Sequence, residues 1–503
     1  MNENQIVIEE KKNAKYPPLE SLFRPSVAYP EYIFKDDLSP FQNDAYELVR
    51  NAFIRAGFDQ ENIGNISWNP LKSIVAPRDT VLLKPNFVMD YNPSGDGTDC
   101  LYTHPSVIAA IIDYVIIAFQ GQIGRIIIGD APMQECNFVN LIANSGLDKL
   151  VEYYKEKCIN VEIVDFRGLK SQIKRGVYHS SIDDDNKGTV IDLGNESEFF
   201  GYSIEKLRSL RITNYNPSIL CQHHNEEKQE YFVSKEMLEA DVVINIPKPK
   251  THRKAGVTIS LKNMVGINVR KEYLPHHSLG SKQNGMGDEY LYRNSLKSLY
   301  SHLKDREWYY SANGKYRRSY CCKVFSFFVR RLVRFSLHDT YYEGSWYGNN
   351  TISKTIVDLN KILFFANKKG EMEECKQRKY LIVADMIVSG EGEGPIEPTK
   401  KEVGIIAVGL NPVVFDEGIA KIMGVDPHLI PTIVTSKNPK GMFKLTNGTM
   451  IPEYISNNDN WNEKTYLQIK QEETLLYVPS FGWRPVFFST HNSGSTKNSQ
   501  VKR

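Results

Sequence analysis

Several things are scarce in this sequence, and each scarcity excludes a class of function. Its seven cysteines are scattered at positions 100, 136, 158, 221, 321, 322 and 375. No Cys-x-x-Cys pair occurs, so neither a zinc ribbon nor a ferredoxin cassette is written here, and each cysteine reads as a small buried hydrophobe. No apolar run approaches the roughly 18–20 residues that cross a bilayer. An excess of charge is missing too. The 62 Lys and Arg residues against 60 Asp and Glu leave a net charge of +2, which argues against a nucleic-acid partner. Met1 to Glu10 contain no apolar signal-peptide core, so a cytoplasmic location is expected. There is no Gly-x-Ser-x-Gly elbow, no Walker loop and no His-x-His or His-x-x-x-His spacing.

What is present is an alternation of strand and helix patterns across 503 residues, enough for one large or two medium domains. Residues 1–37 are polar and proline-punctuated and read as an N-terminal arm. Residues 38–292 read as a first α/β lobe. Its helices are predicted over Phe41–Ala56, Pro105–Phe119 and Phe138–Lys157, its strands over Thr80–Leu83, Arg125–Ile128, Val161–Val164 and Asp241–Ile246, and a turn-rich insertion near 168–235. Residues 293–345 form a basic helical insertion, with eleven Lys/Arg against Asp305 and Glu307 between Arg293 and Arg334. Within it, Cys321, Phe325, Phe328, Leu332 and Phe335 share one helical face. Residues 321–335 therefore read either as a helix for peripheral membrane contact or as a core-packing helix with a solvated basic side. Residues 346–488 carry a second α/β portion, with helices over Ile352–Ala366 and Pro412–Met423 and strands over Tyr380–Ala384, Val403–Val408 and Thr432–Thr435. Residues 489–503 read as a disordered tail. The fold expected is α/β with a mainly parallel, Rossmann-like sheet, helices on both faces, and two lobes around a cleft.

The polar signatures follow predicted strands. Lys84 and Asn86 follow one, Asp130 a second, Lys248, Lys250, Thr251 and His252 a third, and Glu391 with Glu393 a fourth. In a parallel sheet these carboxyl ends share one edge, so the groups can converge on a ligand. Lys248 and Lys250 alternate along an extended segment bracketed by Pro247 and Pro249, so both amines can face one side. Lys262-Asn263 adds a further cation and amide. Gly392 and Gly394 allow a tight turn and close backbone approach. His104, just before Pro105, and His252 are the candidate proton-transfer groups. Asp130 and Glu391 orient a histidine or help to hold a divalent cation such as magnesium or manganese. His223-His224 and His276-His277 read as surface residues, and Asp416 as a helix cap or packing group.

The blocks Lys84-Pro85-Asn86, Thr103-His104-Pro105, Ile128 to Pro132, Asp241 to Ile267 and Asp385 to Pro427, with Trp346 to Asn360, resemble the domain of unknown function 362 family. They span about residues 80–430. The resemblance implies a bacterial or archaeal α/β protein and adds Thr103 to the ligand-binding candidates. Some members of that family carry an iron–sulfur cassette; this chain departs from them, and no such cluster is expected. The reading is a cytosolic enzyme acting on a small anionic molecule that bears a carboxylate or phosphate, with isomerisation or epimerisation as the favoured chemistry. Its alternatives are a non-catalytic anion- or partner-binding protein with a membrane-surface helix, and a redox protein.

Overall fold

Runs of aliphatic residues buried on both faces build one large sheet. The computed structural model describes residues 1–183, 185–336, 341–447 and 449–487; the tail expected at 489–503 lies outside them. In chain order the sheet strands are β1 (Gln5–Glu10), β2 (Thr80–Pro85), β3 (Arg125–Asp130), β4 (Val161–Asp165), β5 (Val242–Ile246), β6 (Lys250–His252), β7 (Gly256–Thr258), β8 (Lys379–Glu393), β9 (Glu397–Gly409) and β10 (Glu453–Ser456). Their spatial order is β10-β1-β9-β8-β5-β2-β3-β4, with β6 joined to β7 and to β8. Neighbours along this path run parallel except where β9 opposes β8 and β1.

The α/β, mainly parallel expectation holds, but the two halves do not form separate lobes. Central β5 pairs with β2 through Val242↔Val81 and with β8 through Val242↔Lys379, so both halves share one sheet. Residues 1–37 are more than a lead-in, because β1 lies inside the sheet with Ile6, Val7 and Ile8 fully buried. Alternate residues of β5 serve opposite faces. Val243 joins one core; Val242, Ile244 and Ile246 join the other. Burying each such side chain contributes roughly 1.5–3 kcal/mol.

The helices that matter below are α1 (Asp44–Arg55), α2 (Pro105–Ala118), α3 (Ser260–Asn263), α4 (Ser295–Ala312), α5 (Tyr316–Ser336), α6 (Thr351–Phe365) and α7 (Pro412–Ile422). Two expectations change. The helix predicted over 138–157 breaks at Gly146, whose φ of 78° ends one helix and admits the next. The strand predicted at Thr432–Thr435 is part of a helix, Pro431–Lys437, with Pro431 in its first turn; a run that short does not separate strand from helix.

A buried ion pair fastens the central seam. Lys248 Nζ lies 2.7 Å from Asp385 Oδ2, with neither side chain exposed. Tyr16, from the N-terminal arm, donates to Asp385 Oδ1 at 2.6 Å and accepts from Lys248 Nζ at 2.7 Å. The ring of His104 stacks on Tyr16 at 3.8 Å. His104 also caps α2, since its Nδ1 accepts from Ser106 N and its own N–H donates to Asp385 Oδ2. Replacing Lys248 by Met strands a buried carboxylate and should cost about 3–5 kcal/mol in urea unfolding, with much of it recovered in Lys248→Met/Asp385→Leu. A single variant as stable as wild type would show that the pair does not hold the seam.

Candidate functional site

The carboxyl ends of β2 and β3 meet in a second buried ion pair. Lys84 Nζ lies 2.7 Å from Asp130 Oδ1, and neither side chain is more than 3% exposed. Lys84 also donates to the Pro85 carbonyl at 2.7 Å. Asp130 accepts from the backbone N–H of Phe87 at 2.7 Å and of Ala131 at 2.9 Å, so one carboxylate positions the loops that leave both strands. Gly266 packs directly on this pair. A β-carbon there would lie 1.9 Å from Asp130 Oδ1 and 2.7 Å from Lys84 Nζ.

Helix α3 is held over the same edge by Asp416 on α7, which accepts from Ser260 N at 2.8 Å and Leu261 N at 3.1 Å. Asp416 is thus a cap of α3. Asn263, at the end of α3, donates through Nδ2 to the Lys84 carbonyl at 3.0 Å and to Asn245 Oδ1 at 2.7 Å. Those bonds fix its amide and leave Oδ1 buried without a partner among the described residues.

Beside these groups opens a cavity of about 140 Å³. Among the described residues Asp130 is its one acidic wall residue, against four cations: Arg253, Lys254, Lys262 and Lys271. Lys254 Nζ is bonded to Thr213 Oγ1 and Lys271 Nζ to the Pro132 carbonyl, both at 2.7 Å. Among the described residues Lys262 meets no carboxylate and donates to no oxygen. Burial, reinforced by Lys271, lowers the Lys262 ammonium to about 7; burial brings Lys254 and Lys271 to about 8. Asn86 and Thr258 also line the cavity, and Asn86 Oδ1 and Thr258 Oγ1, like Asn263 Oδ1, are buried without a partner among the described residues.

Two histidines complete the wall, each locked by the backbone. His252 Nδ1 accepts from the N–H groups of Lys254 and Ala255, both at 3.0 Å. His276 Nδ1 lies 2.8 Å from the Leu274 carbonyl, which can only accept, so this nitrogen carries a proton. Burial first, and then nearby lysines, hold both rings well below the usual imidazole value. Both are therefore neutral near pH 7. His252 presents Nε2–H, a donor, and His276 presents an unprotonated Nε2, an acceptor. Among the described residues neither Nε2 has a protein partner.

The cavity thus gathers Asn86, Asp130, His252, Lys262 and Asn263, with Lys84 directly behind Asp130. The other predicted residues lie elsewhere. Lys248 is spent on Asp385, and Lys250 Nζ, buried, donates to the Leu101 carbonyl. The two lysines therefore do not meet one ligand. His104 is a helix cap under Tyr16. Thr103 Oγ1 bridges Asn86 N and the Ile246 carbonyl. Thr251 Oγ1 donates to the Gly392 carbonyl at 3.0 Å. Glu391 accepts from Val478 N at 2.9 Å and fastens the C-terminal segment to β8 rather than facing the cavity. Gly392 has a φ of 78°, and Gly394 passes so close to Thr251 that a β-carbon would lie 2.0 Å from its carbonyl oxygen. These glycines shape the β8–β9 turn, whose Pro395 and Ile396 reach the cavity wall.

Sequence reasoning missed Arg253, Lys254, Lys271 and His276. His276 is not a surface residue, and His224 and His277 are buried. Among the described residues no three His, Cys, Asp or Glu side chains gather around a metal-sized site, and Asp130 and Glu391 do not share one.

Residues 81–183 and 177–421 match the family model described as domain of unknown function (DUF362). The chain belongs to this family. The cavity and both buried ion pairs draw almost entirely on the matched residues. Over 217 residues the chain is 27% identical to the thylakoid-associated protein sll1697 of Synechocystis sp., an alignment covering 43% of this chain and 48% of that protein. The chain thus spans about half the length of this curated relative. No helix among the described residues is long and apolar enough to cross a membrane.

Because Gly266 rests on the Lys84–Asp130 pair, Gly266→Ala should cost about 1–3 kcal/mol in urea unfolding, as overpacking of a filled site does. Wild-type stability in that variant would show that the pair and its loops yield without cost.

Proposed function

We propose that this member of the family binds a small carboxylate- or phosphate-bearing molecule in the cavity and moves a proton on it. The observation that carries the reading is the pair of backbone-locked neutral histidines, one donor and one acceptor, on a wall where four cations face one already paired carboxylate. A cation without a carboxylate is costly to bury, and an anionic ligand offsets that cost. The unpartnered oxygens of Asn86, Thr258 and Asn263 suit a ligand that also carries hydroxyl groups.

The chemistry follows from the protonation states. Lys262, with Arg253, Lys254 and Lys271 near it, holds the anionic group. His276 Nε2 takes a proton from a carbon next to a carbonyl and becomes imidazolium. The electrons of that C–H bond pass to the carbonyl oxygen, where His252 Nε2–H stabilises the developing charge. Return of the proton from His276 to the former carbonyl carbon, as His252 gives its Nε2 proton to the oxygen there and takes the proton of the adjacent hydroxyl, gives isomerisation of a hydroxy-carbonyl compound; its return to the opposite face of the same carbon, after the planar intermediate turns over in the cavity, gives epimerisation. Seven unpaired cysteines support a reducing, cytosolic setting.

Sulfate, whose charge is constant across the range, probes the site by calorimetry. Its affinity should fall about tenfold or more as pH rises from about 6 to 9. The ammonium groups that bind it are charged below their values of about 7 and 8 and lose that charge above them. Lys262→Met should weaken binding about tenfold at the acidic end and abolish the step near 7. Lys250→Met should leave affinity unchanged. A flat pH profile, or equal affinity in Lys262→Met, counts against the anion site.

The catalytic half is read in D2O with phosphorylated and carboxylated hydroxy-ketones and hydroxy-acids. Wild type should place deuterium beside the carbonyl of at least one of them. His276→Gln should slow that exchange by about 100-fold or more while keeping the compound bound. Compounds that bind without any exchange would make this a binding protein.

A further inference from the structure

A second surface stands apart from the cavity. Helices α4 and α5 form a hairpin with its own small core, in which Val329 and Val333 of α5 meet Tyr300 of α4. Helix α4 is the inner one. Its Asp305 is paired with Arg211 at 3.0 Å, and its Ser311 hydroxyl donates to the Tyr178 carbonyl. The face of α5 that the sequence marks as apolar, through Cys321, Phe325 and Phe328, is not the one that packs. Phe325 is 64% exposed, Phe327 52%, Phe328 55% and Tyr320 51%. Phe335 lies outside the residues whose side chains are described.

Charge identifies what fits this face. Helix α5 carries Arg317, Arg318, Lys323, Arg330, Arg331 and Arg334 and no acidic residue. The two acids of α4 are occupied elsewhere, Asp305 by Arg211 and Glu307 by Lys304 at 2.8 Å. Arg331 lies 4.6 Å over the Phe327 ring, so cation and apolar surface are side by side. Exposed phenylalanines between arginines suit an interface that is apolar below and anionic above. A second copy of the chain would set six cations against six. A nucleic acid would satisfy the arginines and leave the phenylalanine cluster facing solvent. We infer that α5 lies in the headgroup layer of an anionic bilayer, with Phe325, Phe327 and Phe328 inserted and the arginines on lipid phosphates.

Co-sedimentation with vesicles tests this on the full chain. Wild type should bind an equal mixture of phosphatidylcholine and phosphatidylglycerol, release in high salt, and bind phosphatidylcholine alone at least about tenfold more weakly. Phe325→Ser/Phe328→Ser and Arg330→Gln/Arg331→Gln should each lose about tenfold or more in affinity while keeping the wild-type melting temperature and sulfate binding. Phe325→Trp keeps the face intact, and its fluorescence should shift to the blue on mixed vesicles. Equal binding to both vesicle types, variants that bind like wild type, or an unshifted tryptophan would overturn the inference. So would a wild type that ignores vesicles and instead dimerises, or captures an RNA oligonucleotide, through these residues.

Discussion

The Lys84–Asp130 ion pair sets the geometry on which the cavity depends. Breaking it would leave a charge inside the protein, a far larger penalty than the pair itself returns. Its value is therefore positional. Through Asp130 it fixes the first residues of the loops after β2 and β3, and Gly266 is the residue at that point that lets a third segment close over it. The pair also removes Asp130 from the charge balance of the cavity. Among the described residues the wall keeps its four cations and has no free carboxylate to answer them.

That imbalance explains the rest of the site. Burial lowers all three lysines, Lys271 and Lys254 lower Lys262 further, and burial together with nearby cations keeps His252 and His276 neutral. Neutrality alone would leave each ring free to choose its tautomer. The backbone makes the choice, since two N–H groups claim Nδ1 of His252 and one carbonyl claims the proton of Nδ1 of His276. A donor and an acceptor thus face one cavity by construction, needing no third side chain to orient them.

The alternation of strand and helix was readable because buried parallel strands leave aliphatic runs and helices leave a longer period. Lys84, Asp130 and His252 were readable because strand ends share one edge, and Lys262 as a further cation in the segment that follows. What misled was the count of local cations. Lys248 looks like a ligand group until Asp385 arrives from a strand far along the chain, and Glu391 looks catalytic until Val478 claims it. His276 carried no motif. Its placement depends on the loop after α3 reaching Arg211, whose carbonyl accepts from His276 N, which no local pattern records. Arg253 and Lys254 did carry a signal, an unbroken Thr251-His252-Arg253-Lys254 run at a strand end. On α5 the apolar face was legible, but whether it packed inward was not. Val329 and Val333 supply a second, narrower face that the small core uses instead.

The cavity and the α4–α5 hairpin are joined by consecutive contacts. Lys254 on the cavity wall bonds Thr213, whose neighbour Asn214 donates to the Tyr178 hydroxyl at 2.8 Å. The Tyr178 carbonyl accepts from Ser311 of α4, and Tyr316 at the start of α5 stacks on His179 at 3.7 Å. The cavity wall and the outer helix therefore rest on one strand, Val177–Ile182. This series of contacts runs from α5 to Lys254 without crossing the central sheet. Coupling between two sites requires such a contiguous connection and, beyond it, an element with two arrangements. Here the strand belongs to a two-stranded hairpin outside the main sheet, so the connection runs through hydrogen bonds and a ring stack rather than through the ladder that holds the Lys84–Asp130 pair.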